Sequence, residues 1–137
     1  MAALLSCKHP LMDSEHRVVL TWVQEGAKCL QEVRPTEECL YVVDVLAQLA
    51  RSHFKNEQTE MRACGYPDWS IHAQDHERLL AQLAQTRQSI VNAANGASHW
   101  PAHKRLAAWM QSHIARCDLP YAQWLHAREP LEIGASY

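Results

Sequence analysis

Glycine and proline are scarce in this 137-residue chain, four and six in number, and the breaks they make leave long stretches with apolar residues at helical spacing. Pro35, the turn Gly65-Tyr66-Pro67 and the run Asn92–Ser98 cut the chain into four such stretches. In the first, Asp13-Ser14-Glu15 offers an N-cap and an acidic first turn. The stripe Val19, Leu20, Val23, Ala27, Leu30 then runs on to about Arg34, where Pro35 stops it. Thr36-Glu37-Glu38 opens a second helix that ends near Cys64, with Gly65 as its left-handed stop. Asp68 is placed to cap a third helix carrying Leu79, Leu80, Leu83 and Ile90, and Pro101 suits the first turn of a fourth with Leu106, Trp109 and Met110 on one face. Beyond Asp118 a short tail is expected, with one or two helical turns around Trp124. Four helices joined by short loops predict an all-α, up-down-up-down antiparallel four-helix bundle. The expected layout is a single domain over 1–137: an arm at 1–12, the bundle at about 13–118 and a tail at 119–137.

Composition narrows the partners. Apolar residues make up 47% and charged residues 20%, as in ordinary globular proteins, and the formal net charge is −2, so neither nucleic acid nor an anionic membrane is an expected partner. No apolar run approaches the roughly 18 residues of a spanning helix. The opening Met1–Cys7 lacks the basic region and apolar length of an export signal. The five cysteines are scattered and form no C-x-x-C, which predicts reduced thiols and a cytoplasmic setting. Cys117 stands out because it adjoins Asp118.

The same four stretches carry polar groups on their apolar stripes. These are His16 on the first, His53 with Glu57 on the second, His72 with His76 on the third, and His113 with Asp118 on the fourth. Four-residue spacing puts His53 with Glu57, and His72 with His76, one turn apart on a common face. His113 and Asp118 are five apart, which a regular helix would turn to diverging faces, so the fourth helix is expected to unwind near Cys117, helped by Pro120. Burying five imidazoles and two carboxylates in one small core is costly without a compensating ion. These are ligand types that iron, zinc and manganese accept. Seven ligands are too many for one ion and suit two. His9, His99, His103 and His126 lie off this pattern and are expected at the surface.

The segment His53-Phe-Lys-Asn-Glu57, with Met61, Gly65-Tyr-Pro-Asp68 and His72-Ala-Gln-Asp-His76-Glu-Arg-Leu-Leu80, closely resembles the hemerythrin family. Met12-Asp-Ser-Glu-His16-Arg17 and Trp109-Met-Gln-Ser-His113-Ile-Ala-Arg-Cys-Asp118 share the resemblance, which spans about residues 10 to 121. It implies a non-haem di-iron centre that binds O2 reversibly. His72, His76 and His113 would hold one iron, His16 and His53 the other, and Glu57 and Asp118 would bridge both together with an oxo or hydroxo ligand. O2 would be the ligand at the open position of the second iron. The family's apolar O2 pocket maps to Val19, Phe54, Trp109, Met110 and Ile114. The chain departs from the family pattern in a short arm without tryptophan and in Met110, where leucine is common.

O2 carriage, storage or sensing is the first functional expectation. An input domain of a larger signalling protein, such as a diguanylate cyclase or chemoreceptor, is the alternative, with Arg128–Tyr137 as the start of a linker to a fused or separate output domain. A di-iron peroxidase or oxidase ranks below both, because no acid, base or substrate cleft beyond the ligands stands out. A structural zinc protein ranks last.

Overall fold

The computed structural model describes residues 9–93 and 100–136, with side chains described for 9–93 and 104–128. The expectations for arm residues 1–8, for the greater part of the Asn92–Ser98 loop, and for His99 and the side chain of His103 lie outside the described residues. Helix α1, Pro10–Gln31, starts before Asp13 because His9 caps it: His9 Nδ1 accepts the Met12 N–H at 3.1 Å, and Pro10 fills a first-turn position where no N–H is needed. The expected cap at Asp13-Ser14 is therefore replaced by a histidine one turn earlier. The helix also ends short of Arg34. Val33 N–H reaches Leu30 O, Arg34 N–H reaches Cys29 O, and Val33 takes the left-handed conformation at φ 52°. This is the Schellman arrangement with valine where glycine is usual.

Helix α2, Thr36–Cys64, ends as expected at left-handed Gly65 (φ 75°, ψ 31°). Helix α3, Trp69–Ala93, follows Asp68, whose carbonyl accepts the His72 N–H at 3.1 Å. The fourth rod is broken into α4 (Trp100–Ala108), α5 (Gln111–His113), a π-helical turn (Ile114–Asp118) and α6 (Leu119–Ser136). So the rod does not unwind at Cys117. It widens by one residue, marked by the Leu119 N–H bonding Ile114 O five residues back, and then continues. Leu119 keeps helical angles despite Pro120. The one- or two-turn tail is in fact an 18-residue helix, so the rods run past the expected limits at 13 and 118.

The rods form an all-α four-helix bundle in which α1 packs on α2 and α4, and α3 packs on α2 and α4. At one end the core is apolar: Leu30, Val43, Leu46, Leu83, Ile90 and Leu106 are each at most 2% exposed. Gly26 lets α4 approach α1, since a Cβ there would meet Leu106 Cδ2 at 2.8 Å. The other end holds the histidines. Among the described residues no helix is long and apolar enough to cross a membrane.

Candidate metal centre

Each rod delivers its polar residues to one level. α1 supplies His16, α2 His53 and Glu57, α3 His72 and His76, α5 His113, and the π turn Asp118, none more than 5% exposed. A regular helix turns about 500° over five residues and would splay His113 from Asp118. The wide turn absorbs the extra residue, and His113 Nε2 lies 3.0 Å from Asp118 Oδ1. All seven residues singled out in the sequence are thus brought together. The ligand atoms of Glu57, His72, His76, His113 and Asp118 lie within 4.8 Å of one another, and so do those of His16, His53, Glu57 and Asp118.

The contacts divide each carboxylate in two. Glu57 Oε1 faces His72 Nε2 at 2.6 Å and His76 Nε2 at 3.0 Å, while Glu57 Oε2 faces His53 Nε2 at 3.2 Å. Asp118 Oδ1 faces His72 Nε2 at 2.8 Å and His113 Nε2 at 3.0 Å, while Asp118 Oδ2 faces His16 Nε2 at 2.9 Å. Every carboxylate therefore turns one oxygen to a three-histidine set and the other to a two-histidine set. Of these contacts His76 Nε2 to Glu57 Oε1 is a hydrogen bond, and the others are close but poorly directed. Both nitrogens of His16, His53 and His72, His113 Nε2, Glu57 Oε2 and both Asp118 oxygens are buried without a hydrogen-bond partner. Orphaned buried polar atoms cost about 1–3 kcal/mol each, more when charged, so their concentration in one spot fits a missing cation.

Of three residues that the sequence reading passed over, Asp75 and Gln58 brace this set and Glu15 lies beside it. Asp75 Oδ2 accepts from His113 Nδ1 at 2.5 Å and is itself held by Arg78 at 2.7 Å. Glu15 Oε1 lies 3.3 Å from His53 Nδ1 without forming a hydrogen bond, while Gln58 Oε1 pairs with His76 Nδ1 at 2.8 Å. Such partners fix the tautomer and orientation of a ligating imidazole. The available signal was adjacency: Glu15 precedes His16, Gln58 follows Glu57, and Asp75 precedes His76. Each serves a histidine on the next rod, however, which sequence order does not reveal. Cys117 Sγ, singled out beside Asp118, instead approaches Asp75 Oδ2 at 3.7 Å.

Apolar groups seal the level. Phe54 stacks on His76 with centroids 4.0 Å apart and planes 8° from parallel, and Trp109 Nε1 donates to Leu79 O at 2.9 Å. Val19, Phe54, Trp109, Met110 and Ile114 are all buried in the core. His9 and His126, expected at the surface, are only partly exposed there. Both are half-buried, and His9 Nε2 sits 3.0 Å from Glu60 Oε1.

Without an ion, protons must balance the charges. Burial opposes ionisation of Glu57, but contacts from His53, His72 and His76 hold its carboxyl well below the usual range. Burial and the neighbouring Glu57 raise Asp118, and contacts from His113, His16 and His72 outweigh them to hold it low. Burial disfavours imidazolium at His72 and His113, yet the carboxylates win, lifting His72 to about 9 and His113 to about 11. At His76 burial prevails, helped by the charges of His113 and His72, and its pKa is lowered. The arrangement stabilises positive charge at its centre, whether protons or metal supply it.

No known family model matches the chain, and no solved structure does either. Among curated proteins, the bacteriohemerythrin of Methylococcus capsulatus (strain Bath) is 28% identical over 85 residues, which is 62% of this chain and 64% of that protein. The chain therefore spans less than two thirds of that relative's length. Taken with the helical bundle and the convergent histidines, the likeness supports membership of the hemerythrin family, at a distance.

Proposed function

We propose that the chain is a single-domain, non-enzymatic protein that binds O2 reversibly at a non-haem di-iron centre. His72, His76 and His113 would hold one ion and His16 and His53 the other, with Glu57 and Asp118 serving both. The observation that carries this reading is the split of each carboxylate, one oxygen toward the three-histidine set and the other toward the pair. That division matches two ions rather than one. The histidine-rich set differs from the four carboxylates and two histidines of ferritin-like oxidases. O2 as the ligand follows from the likeness to a bacteriohemerythrin.

A ferrous pair, when bound, would supply the electrons that reversible O2 binding needs. The chain supplies the rest. His16 and His53 would offer their ion fewer protein ligands than the other set offers, which leaves room for a small ligand such as O2. Val19, Phe54, Trp109, Met110 and Ile114 are buried apolar side chains that would exclude water and anions from the centre. Asp75 holds the His113 ring with its Nε2 aimed inward.

Metal analysis with absorption spectroscopy tests the reading. Two irons per chain are expected, with oxo-to-ferric charge-transfer bands and a spectrum that cycles as O2 is removed and returned. A colourless, iron-free protein after reconstitution would defeat the metal centre. Iron without reversible cycling would defeat O2 binding.

A further inference from the structure

Between the first turns of α1 and the last turns of α2 lies a cavity of about 40 Å³. Its floor is His53 and Glu57, with side chains 2% and 3% exposed, and its rim is His9, Glu15, Asn56 and Glu60. The rim is partly open: the side chains of His9, Glu15 and Glu60 are 20%, 27% and 38% exposed. Two floor atoms, His53 Nδ1 and Glu57 Oε2, are buried without a hydrogen-bond partner. Carboxylates thus line the cavity from solvent to centre. Asn56 donates to Glu15 Oε2 at 3.4 Å, and Tyr121 OH donates to Glu60 Oε1 at 2.6 Å, so both rim carboxylates are held in place.

The opposite face of α2 offers a contrast. A larger cavity of about 470 Å³ reaches Phe54 and Gln58, but Arg51, Lys55 and Arg62 line it against a single Glu77. A cation is repelled there. A cleft lined by one sign of charge, in low-dielectric walls, concentrates the opposite ion.

We infer that the α1–α2 cavity is the route by which a divalent first-row cation, ferrous iron in the proposed function, reaches the centre. Glu15 and Glu60 draw the ion from solvent, and Glu57 Oε2 with His53 receives it. The cavity is small, so the ion exchanges water for carboxylate oxygen on the way in. This inference rests on the metal-centre reading and adds the path to it. No bond is made or broken beyond ligand exchange.

Loading kinetics test it. The metal-free full chain is mixed anaerobically with Co2+, and the visible band of the bound ion is followed in time. Glu60→Gln is decisive because Glu60 touches none of the seven ligands. It should slow loading by about 10-fold or more while the final content stays at two ions per chain. Glu15→Gln should also slow loading, and Glu77→Gln, an equal loss of charge on the other face, should leave the rate unchanged. Added salt should slow the wild type. Wild-type rates in both Glu60→Gln and Glu15→Gln, or equal slowing by Glu77→Gln, overturn the route. If circular dichroism shows that Glu60→Gln has not folded, Glu15→Gln and the salt dependence decide. Wild-type protein that takes up no Co2+ at all overturns the metal centre itself, a separate result.

Discussion

Leu46 and His72 are equally hidden from solvent, at 0% and 2% exposure, yet they sit in ends of the bundle with opposite energetics. Around Leu46 the rods meet through Leu30, Val43, Leu83, Ile90 and Leu106, and every contact there gains from leaving water. Around His72 the same rods meet through imidazole and carboxylate, and ten buried nitrogen and oxygen atoms among the described residues lose hydration without a hydrogen bond in return. One end is held by apolar burial that needs no ligand. The other stores an unmet demand for positive charge, and a binding site needs that demand to favour the ion over its absence.

The sharpest way to break this contrast is His72→Ala. His72 Nε2 is the only imidazole nitrogen described within 3 Å of both carboxylates, at 2.6 Å from Glu57 and 2.8 Å from Asp118. Its loss should lower metal affinity by more than about 100-fold, beyond the range seen for outer partners of ligands. Metal content after dialysis checks this. Leu46→Ala should instead cost about 2–5 kcal/mol of stability, by the same amount with and without iron, in urea unfolding. A metal-dependent cost at Leu46 would mean that the two ends are not separable.

Asp75→Asn lies between these cases. It leaves all seven ligands in place but weakens the hold on His113, and metal affinity should fall about 10- to 100-fold. Competition titration against a chelator measures it.

The metal-free protein should also separate the ends by pH. His72 is raised to about 9, so its contribution is full below the ordinary histidine value near 6.5 and fades as pH rises from there to about 9. Glu57 and Asp118 are lowered, so their contribution is full above the ordinary carboxylate range and is lost as pH falls below it. Loss of stability between pH 6.5 and 9 is therefore expected without metal. The loaded protein should show no such loss, because protons compete with the ions and their departure favours binding. Urea midpoints across that range, with and without iron, check both. The smallest effect belongs to the α1–α2 turn: Val33→Gly should stabilise by roughly 1 kcal/mol, because valine holds a left-handed conformation there at φ 52°. A thermal melt measures it.

Much of this was legible in the chain. Scarce Gly and Pro and the 3.6-residue stripes announced four rods, and Gly65 marked its own stop. The seven inward polar residues were readable because a polar group on an apolar stripe violates the pattern around it. Helix ends were harder to read. His9 displaced Asp13 as the cap, and Val33 took a glycine's role, because each depends on a few hydrogen bonds that context can shift.

Sequence alone, then, determined which residues each rod turns inward, since helical periodicity is a local property of the backbone. Tertiary structure decided what those residues meet. The five-residue step from His113 to Asp118 resolved into a π turn rather than a frayed end, because the continuing helix keeps its backbone bonded while Asp118 still faces the centre. The braces from Gln58 to His76 and Asp75 to His113, and the approach of Glu15 to His53, likewise cross from one rod to the next. Such contacts depend on the packing of rods distant in sequence, which no local pattern encodes.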